Sequence, residues 1–70
     1  MRLIINGEPK EIKMSSEHAA LDIVIDQLDY HPQSIVVEFN GLIINREKWA
    51  MQKVKDGDNI EIVTIVGGGS

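Results

Sequence analysis

The 70-residue chain has no cysteine, so disulfides, thiolate metal sites and a nucleophilic thiol are excluded together, and any sulfur it handles is brought from elsewhere. A cysteine-free chain also fits a reducing compartment. Aromatic residues are nearly absent, with one Trp, one Tyr and one Phe, although 43% of the residues are hydrophobic. The core is therefore aliphatic, built from Ile, Val and Leu, and at this length it belongs to a single compact domain. A formal net charge of -4 opposes nucleic-acid binding, which depends on clustered Lys and Arg displacing counterions. No apolar run approaches the roughly 20 residues that span a bilayer, and the opening residues read as a strand without the long apolar stretch of a signal peptide. The expectation is a soluble protein with no membrane and no nucleic-acid partner.

What is present is a series of short aliphatic runs separated by turn signals. Residues 2–5 form an aliphatic run stopped by Asn6-Gly7, a pair that accepts the positive φ angles of a tight hairpin, and residues 10–14 are expected to return beside it. Ser15 or Ser16 is placed to cap a helix, with Glu17 in its first turn. Leu21, Val24, Ile25 and Leu28 fall at i, i+3, i+4 and i+7, with Asp22, Asp26, Gln27 and Asp29 on the other side, which predicts one amphipathic helix of about three turns ending before Pro32. Residues 35–39 form a β-branched strand ending at Asn40-Gly41, and residues 42–44 form a further short strand. Residues 46–52 read as irregular or a single turn. Asp56-Gly57-Asp58 then turns the chain into residues 59–66, the longest strand candidate. One helix packed across a mixed sheet of four to five strands, the last strand parallel to the first in the middle, is the simplest closure. That is the α+β, ubiquitin-like β-grasp arrangement, with a domain over residues 1–66 and a flexible glycine-rich tail over 67–70.

The tail, Gly67-Gly68-Gly69-Ser70, is the most informative feature. Successive glycines have much backbone entropy to lose on ordering and no side chain to add to a core. They suit a chain end that enters a narrow channel in another protein and exposes an α-carboxylate unhindered by any Cβ. The ordinary reading is a disordered terminus or a linker or tag remnant. Its position directly after a central strand favours function. If Leu3, Ile5, Ile35, Val37, Phe39, Ile60, Ile62 and Val66 face the helix, alternation turns Ile4, Val36, Val63 and Ile65 to the opposite sheet face, where no second helix covers them. An aliphatic patch beside the tail has the character of a docking surface, although strands prefer β-branched residues in any case.

Other candidates carry less. His18 and His31 flank the helix at opposite ends with no cysteine or acidic cluster to join them, so metal binding is not expected. Asp22, Asp26 and Asp29 read as a solvated helix face and not as a pair of catalytic carboxylates. Trp49 is expected to close one end of the core, with Met51 nearby and its N–H bonded to water or a carbonyl.

The combination of Asn6-Gly7, Val36-Val37-Glu38-Phe39-Asn40-Gly41, Arg46 with Trp49, Asp56-Gly57-Asp58-Asn59-Ile60-Glu61-Ile62-Val63 and Val66-Gly67-Gly68-Gly69 resembles the ThiS family, the sulfur carriers of thiamine biosynthesis. The resemblance covers essentially the whole chain. It implies that Gly68-Gly69 is the functional diglycine and that the Gly69 carboxylate is adenylated, with ATP, by an E1-like activating enzyme. Conversion to a thiocarboxylate would follow, and the sulfur would pass to thiazole synthase. The chain would then be a protein cosubstrate without bound cofactor, Gly67, Ile4, Val36, Val63 and Ile65 would contact partners, and the location would be cytoplasmic or the plastid stroma. Ser70 stands one residue beyond the implied sulfur-bearing glycine and is either removed before activation or foreign to the natural protein. A molybdopterin-synthase-type sulfur carrier and a non-catalytic β-grasp regulatory module share much of this pattern.

Overall fold

The computed structural model describes residues 1–15 and 19–65. A hairpin, an α-helix, a second hairpin and a long strand follow in that order among the described residues. β1 (Arg2–Ile5) and β2 (Glu8–Glu11) are antiparallel, with Ile5 opposite Glu8. Asn6 and Gly7 both have positive φ, at 51° and 84°, which is the two-residue turn whose twist matches the flanking strands. Because that turn returns the chain at once, β2 begins at Glu8 and ends at Glu11, earlier than the 10–14 expected from hydrophobicity. It is an exposed edge strand, and its Pro9 is tolerated for that reason.

α1 (Leu21–Gln27) is seven residues long, about two turns and not three. Its buried face is the one the spacing indicated: Leu21, Val24 and Ile25 are fully enclosed, and Leu28 packs against the core from the helix end. Its start differs from the expectation. Ala20 is the capping residue and makes no side-chain cap bond. Ala20 forms a bridge with Lys53, Val54 N–H donates to the Ala19 carbonyl, and Leu21 N–H donates to the Gln52 carbonyl, so extended pairing occupies the stretch where a longer helix would begin. Ser15 lies outside the helix, and the other candidate cap, Ser16, lies with Glu17 and His18 outside the described residues.

β3 (Ile35–Phe39) and β4 (Leu42–Ile43) form the second hairpin, again through a positive-φ pair, Asn40 and Gly41. A 3₁₀ helix over Arg46–Met51 leads to β5 (Asn59–Thr64), the longest strand. The sheet order is β2-β1-β5-β3-β4, with β5 parallel to β1 and antiparallel to β3. The last strand is therefore central. Leu3, Ile5, Ile35, Val37, Phe39, Ile60 and Ile62 are all buried with the α1 residues in one aliphatic cluster. Val66, assigned to the same face, lies outside the described residues. Trp49 is buried and donates from Nε1 to the Ile44 carbonyl at 2.9 Å. Met51 does not accompany it: at 74% exposure it projects from the end of the 3₁₀ helix into solvent.

Asp56-Gly57-Asp58 does more than turn the chain. Asp56 Oδ1 accepts from Arg2 N–H, Gly57 N–H donates to the Arg2 carbonyl, and Ile4 N–H donates to the Asp58 carbonyl, so the turn stitches β1 to the start of β5. The Asp58 side chain, 5% exposed, accepts from Lys55 N–H at 2.8 Å, from Asn40 Nδ2 at 3.2 Å and from Lys55 Nζ at 3.2 Å. Burial pushes this carboxyl's pKa up, but those hydrogen bonds and the Lys55 charge outweigh it, and the net position is below the ordinary carboxylate value. A depressed folded-state pKa stabilises the fold above the unfolded value, near pH 4, and that stabilisation is lost as pH falls through the lower folded value. We expect Asp58→Asn to lower stability at neutral pH by about 2 kcal/mol, because its amide opposes one of the donors it must face. Thermal melts across the acid range should show a shallower loss for the variant than for the parent. Parallel curves would assign the acid sensitivity elsewhere.

Candidate functional site

The strand register sorts the sheet residues into two faces. On the side away from α1, Val36 is opposite Val63, Glu38 is opposite Glu61 on one flank and Ile43 on the other, and Ile4 lies one strand over on β1. Ile65 extends this row beyond β5, held by its N–H donating to the Ser34 carbonyl at 2.7 Å. Val63 and Ile65 are 57% and 55% exposed, while neighbouring strands leave Ile4 and Val36 half-buried. All four residues selected from alternation thus share one uncovered face.

Sequence reading omitted Ile43, which is 65% exposed on this face. The signal was available: a two-residue Asn40-Gly41 turn pairs residue 39 with 42 and residue 38 with 43, so Ile43 must share the face of Glu38. Leu42, although paired with core-facing Phe39, is 69% exposed on β4, a two-residue strand at the sheet edge.

The glycines assigned the chemistry, Gly67, Gly68 and Gly69, lie with Ser70 outside the described residues. The structure does describe their point of departure. β5 has hydrogen-bonded neighbours on both sides, and the described chain ends at Ile65, one residue after that strand. Whatever follows is attached to the most constrained strand of the sheet.

The helix side offers a shallow groove of about 360 Å³ between α1 and the 3₁₀ helix, lined by Asp22, Pro32, Gln33, Arg46, Trp49 and Ala50. Asp22, Asp26 and Asp29 are exposed, and their carboxylates form no ion pair among the described residues, which is the solvated face expected of them. His31 is exposed, His18 lies outside the described residues, and no group of three metal-ligating side chains occurs among the described residues.

Comparison with known proteins agrees with this architecture. The model of the ThiS family matches residues 3–69. The thiamine biosynthesis protein ThiS from Geobacter metallireducens has a crystal structure that superposes with a TM-score of 0.82 at 30% identity, covering 99% of this chain and 100% of that one. A thiazole synthase from Paramagnetospirillum magneticum is 37% identical over 70 residues, all of this chain but 21% of its own length. The sulfur carrier protein ThiS of Escherichia coli is 35% identical over 46 residues, 66% of this chain and 70% of that protein. The chain thus spans about a fifth of the matching thiazole synthase and most of the free-standing carrier.

Proposed function

Because the chain belongs to the ThiS family, we propose that it carries sulfur for thiazole formation as a thiocarboxylate on Gly69. The observation that supports this most is the reach of the family match, which runs through the tail to residue 69, the glycine implied to bear the sulfur. In this reading a Gly69 carboxylate oxygen attacks the α-phosphate of ATP in an E1-like enzyme and pyrophosphate leaves. The acyl-adenylate is an activated electrophile where the free carboxylate is not. A sulfur nucleophile then displaces AMP. Glycine suits both steps, since a tail without Cβ atoms fits a narrow channel and leaves the carbonyl carbon open to attack.

The chain itself is a small sulfur carrier and not a catalyst, and ATP is bound by the enzyme that acts on it. The rigid sheet would serve as the grip, with Ile4, Val36, Val63 and Ile65, joined by Ile43, forming the docking face next to the departing tail. The thiamine and thiazole names of the relatives favour delivery to thiazole synthase over the molybdopterin branch. Residue 70 must be absent for Gly69 to present a carboxylate. A chain ending at Gly69, incubated with the adenylating enzyme, ATP and a sulfur donor, should gain intact mass equal to replacing one oxygen by one sulfur. A chain that is adenylated by nothing and gains no sulfur would instead point to a regulatory β-grasp module.

A further inference from the structure

The outer face contains an arrangement that folding alone disfavours. Register sets Glu38 on β3 directly opposite Glu61 on β5. Side chains in that relation lie about 5 Å apart at Cβ, and like charges there destabilise a sheet. Neither glutamate has an ion-pair partner among the described residues, whose ion pairs join the Met1 amino group to Glu11 and Lys55 to Asp58. The two glutamates are bordered by the apolar residues of the docking face, with Val36 and Val63 next along the two strands and Ile43 across from Glu38.

This placement limits what can dock. A purely apolar partner would cover Val63 and Ile43 while stripping water from two adjacent carboxylates and returning nothing. A partner cation between them removes the repulsion and replaces the lost water. A guanidinium matches the need better than an ammonium, because its planar fork of donors can address carboxylates on two sides while its stem and faces rest on apolar neighbours. We propose that the protein docking on this face, the adenylating enzyme of the functional reading above, inserts an arginine between Glu38 and Glu61, ringed by apolar contacts to Val36, Val63 and Ile43. The proposal rests on that reading and adds the chemistry of the partner's central side chain. The same device would disfavour acidic or wholly apolar competitors.

The test compares two variants for binding to the adenylating enzyme from the same organism, by calorimetry at low and high salt. The double change Glu38→Gln and Glu61→Gln keeps side-chain shape and removes both charges. It should raise the melting temperature of the free chain, weaken binding more than about tenfold and flatten its salt dependence. Val63→Asp places a charge in the apolar ring and should weaken binding by a similar factor. If Val63→Asp weakens binding while the double glutamine variant binds as well as the parent, the arginine is refuted and the docking face stands. If Val63→Asp binds normally, the docking face itself is wrong and this proposal falls with it.

Discussion

Replacing Ile60 with alanine is expected to remove a large share of the folding stability, whereas Val63→Ala, three residues along the same strand, should change stability by no more than about 0.5 kcal/mol. Ile60 is 0% exposed, in the central strand, with Ile5 and Phe39 as its register partners on either side. Truncating such a side chain costs roughly 2–5 kcal/mol, from lost burial and from a cavity that the neighbouring strands cannot collapse to fill. That is a large share of the whole, since about 0.05–0.15 kcal/mol per residue over 70 residues gives roughly 3.5–10 kcal/mol. Val63 belongs to the other face and is 57% exposed. Urea unfolding of the two variants, read with the parent, measures the difference directly. Comparable losses at both positions would mean that the face assignment is incorrect.

Removing Gly68 and everything after it should abolish sulfur loading completely while leaving docking within about twofold of the parent. In the proposed scheme affinity comes from the sheet face and chemistry from the tail, so the two should separate. A shortened tail holds its carboxylate too far from the nucleotide, and a misplacement on the order of 1 Å in a reacting group already costs about a hundredfold in rate. Intact mass after incubation gives the loading, and competition between the shortened and parent chains for the adenylating enzyme gives the docking. Loss of docking in parallel with loading would show that the glycines are themselves the main binding element. Residual loading of the shortened chain would refute Gly69 as the sulfur site.

The sequence was most legible where local chemistry and tertiary packing agree. β1 and β3 occupy the strand positions read from their aliphatic runs, because each is bounded by an Asn-Gly pair whose positive φ angles dictate where the strand must stop. The central parallel placement of β5 followed from its apolar length. The start of α1 was not legible. Ser15, Ser16 and Glu17 carry good capping chemistry, yet a bridge to Lys53, far away in sequence, takes up the backbone just before Leu21. Local propensity cannot anticipate such a competitor. The limits of β2 and the omission of Ile43 have another origin: hydrophobicity guided both, where turn length decides both. Part of the role of Asp58 was hidden because Asn40 reaches its carboxylate only once β3 and β5 are aligned, whereas its bond to the Lys55 backbone, three residues away, is local. Of the candidate site, the four aliphatic residues were visible from alternation alone, while the opposed glutamates required the register of β3 against β5.

Among the described elements β5 is the last in sequence and the middle one in space, joining two hairpins that have no contact through strand pairing without it. During synthesis on the ribosome, the nascent polypeptide can form its local hairpins but cannot close the sheet until residues 59–64 have cleared the exit tunnel. Because the proposed docking face is made jointly by β3 and β5, a half-synthesised molecule would offer a partner no complete surface to grasp.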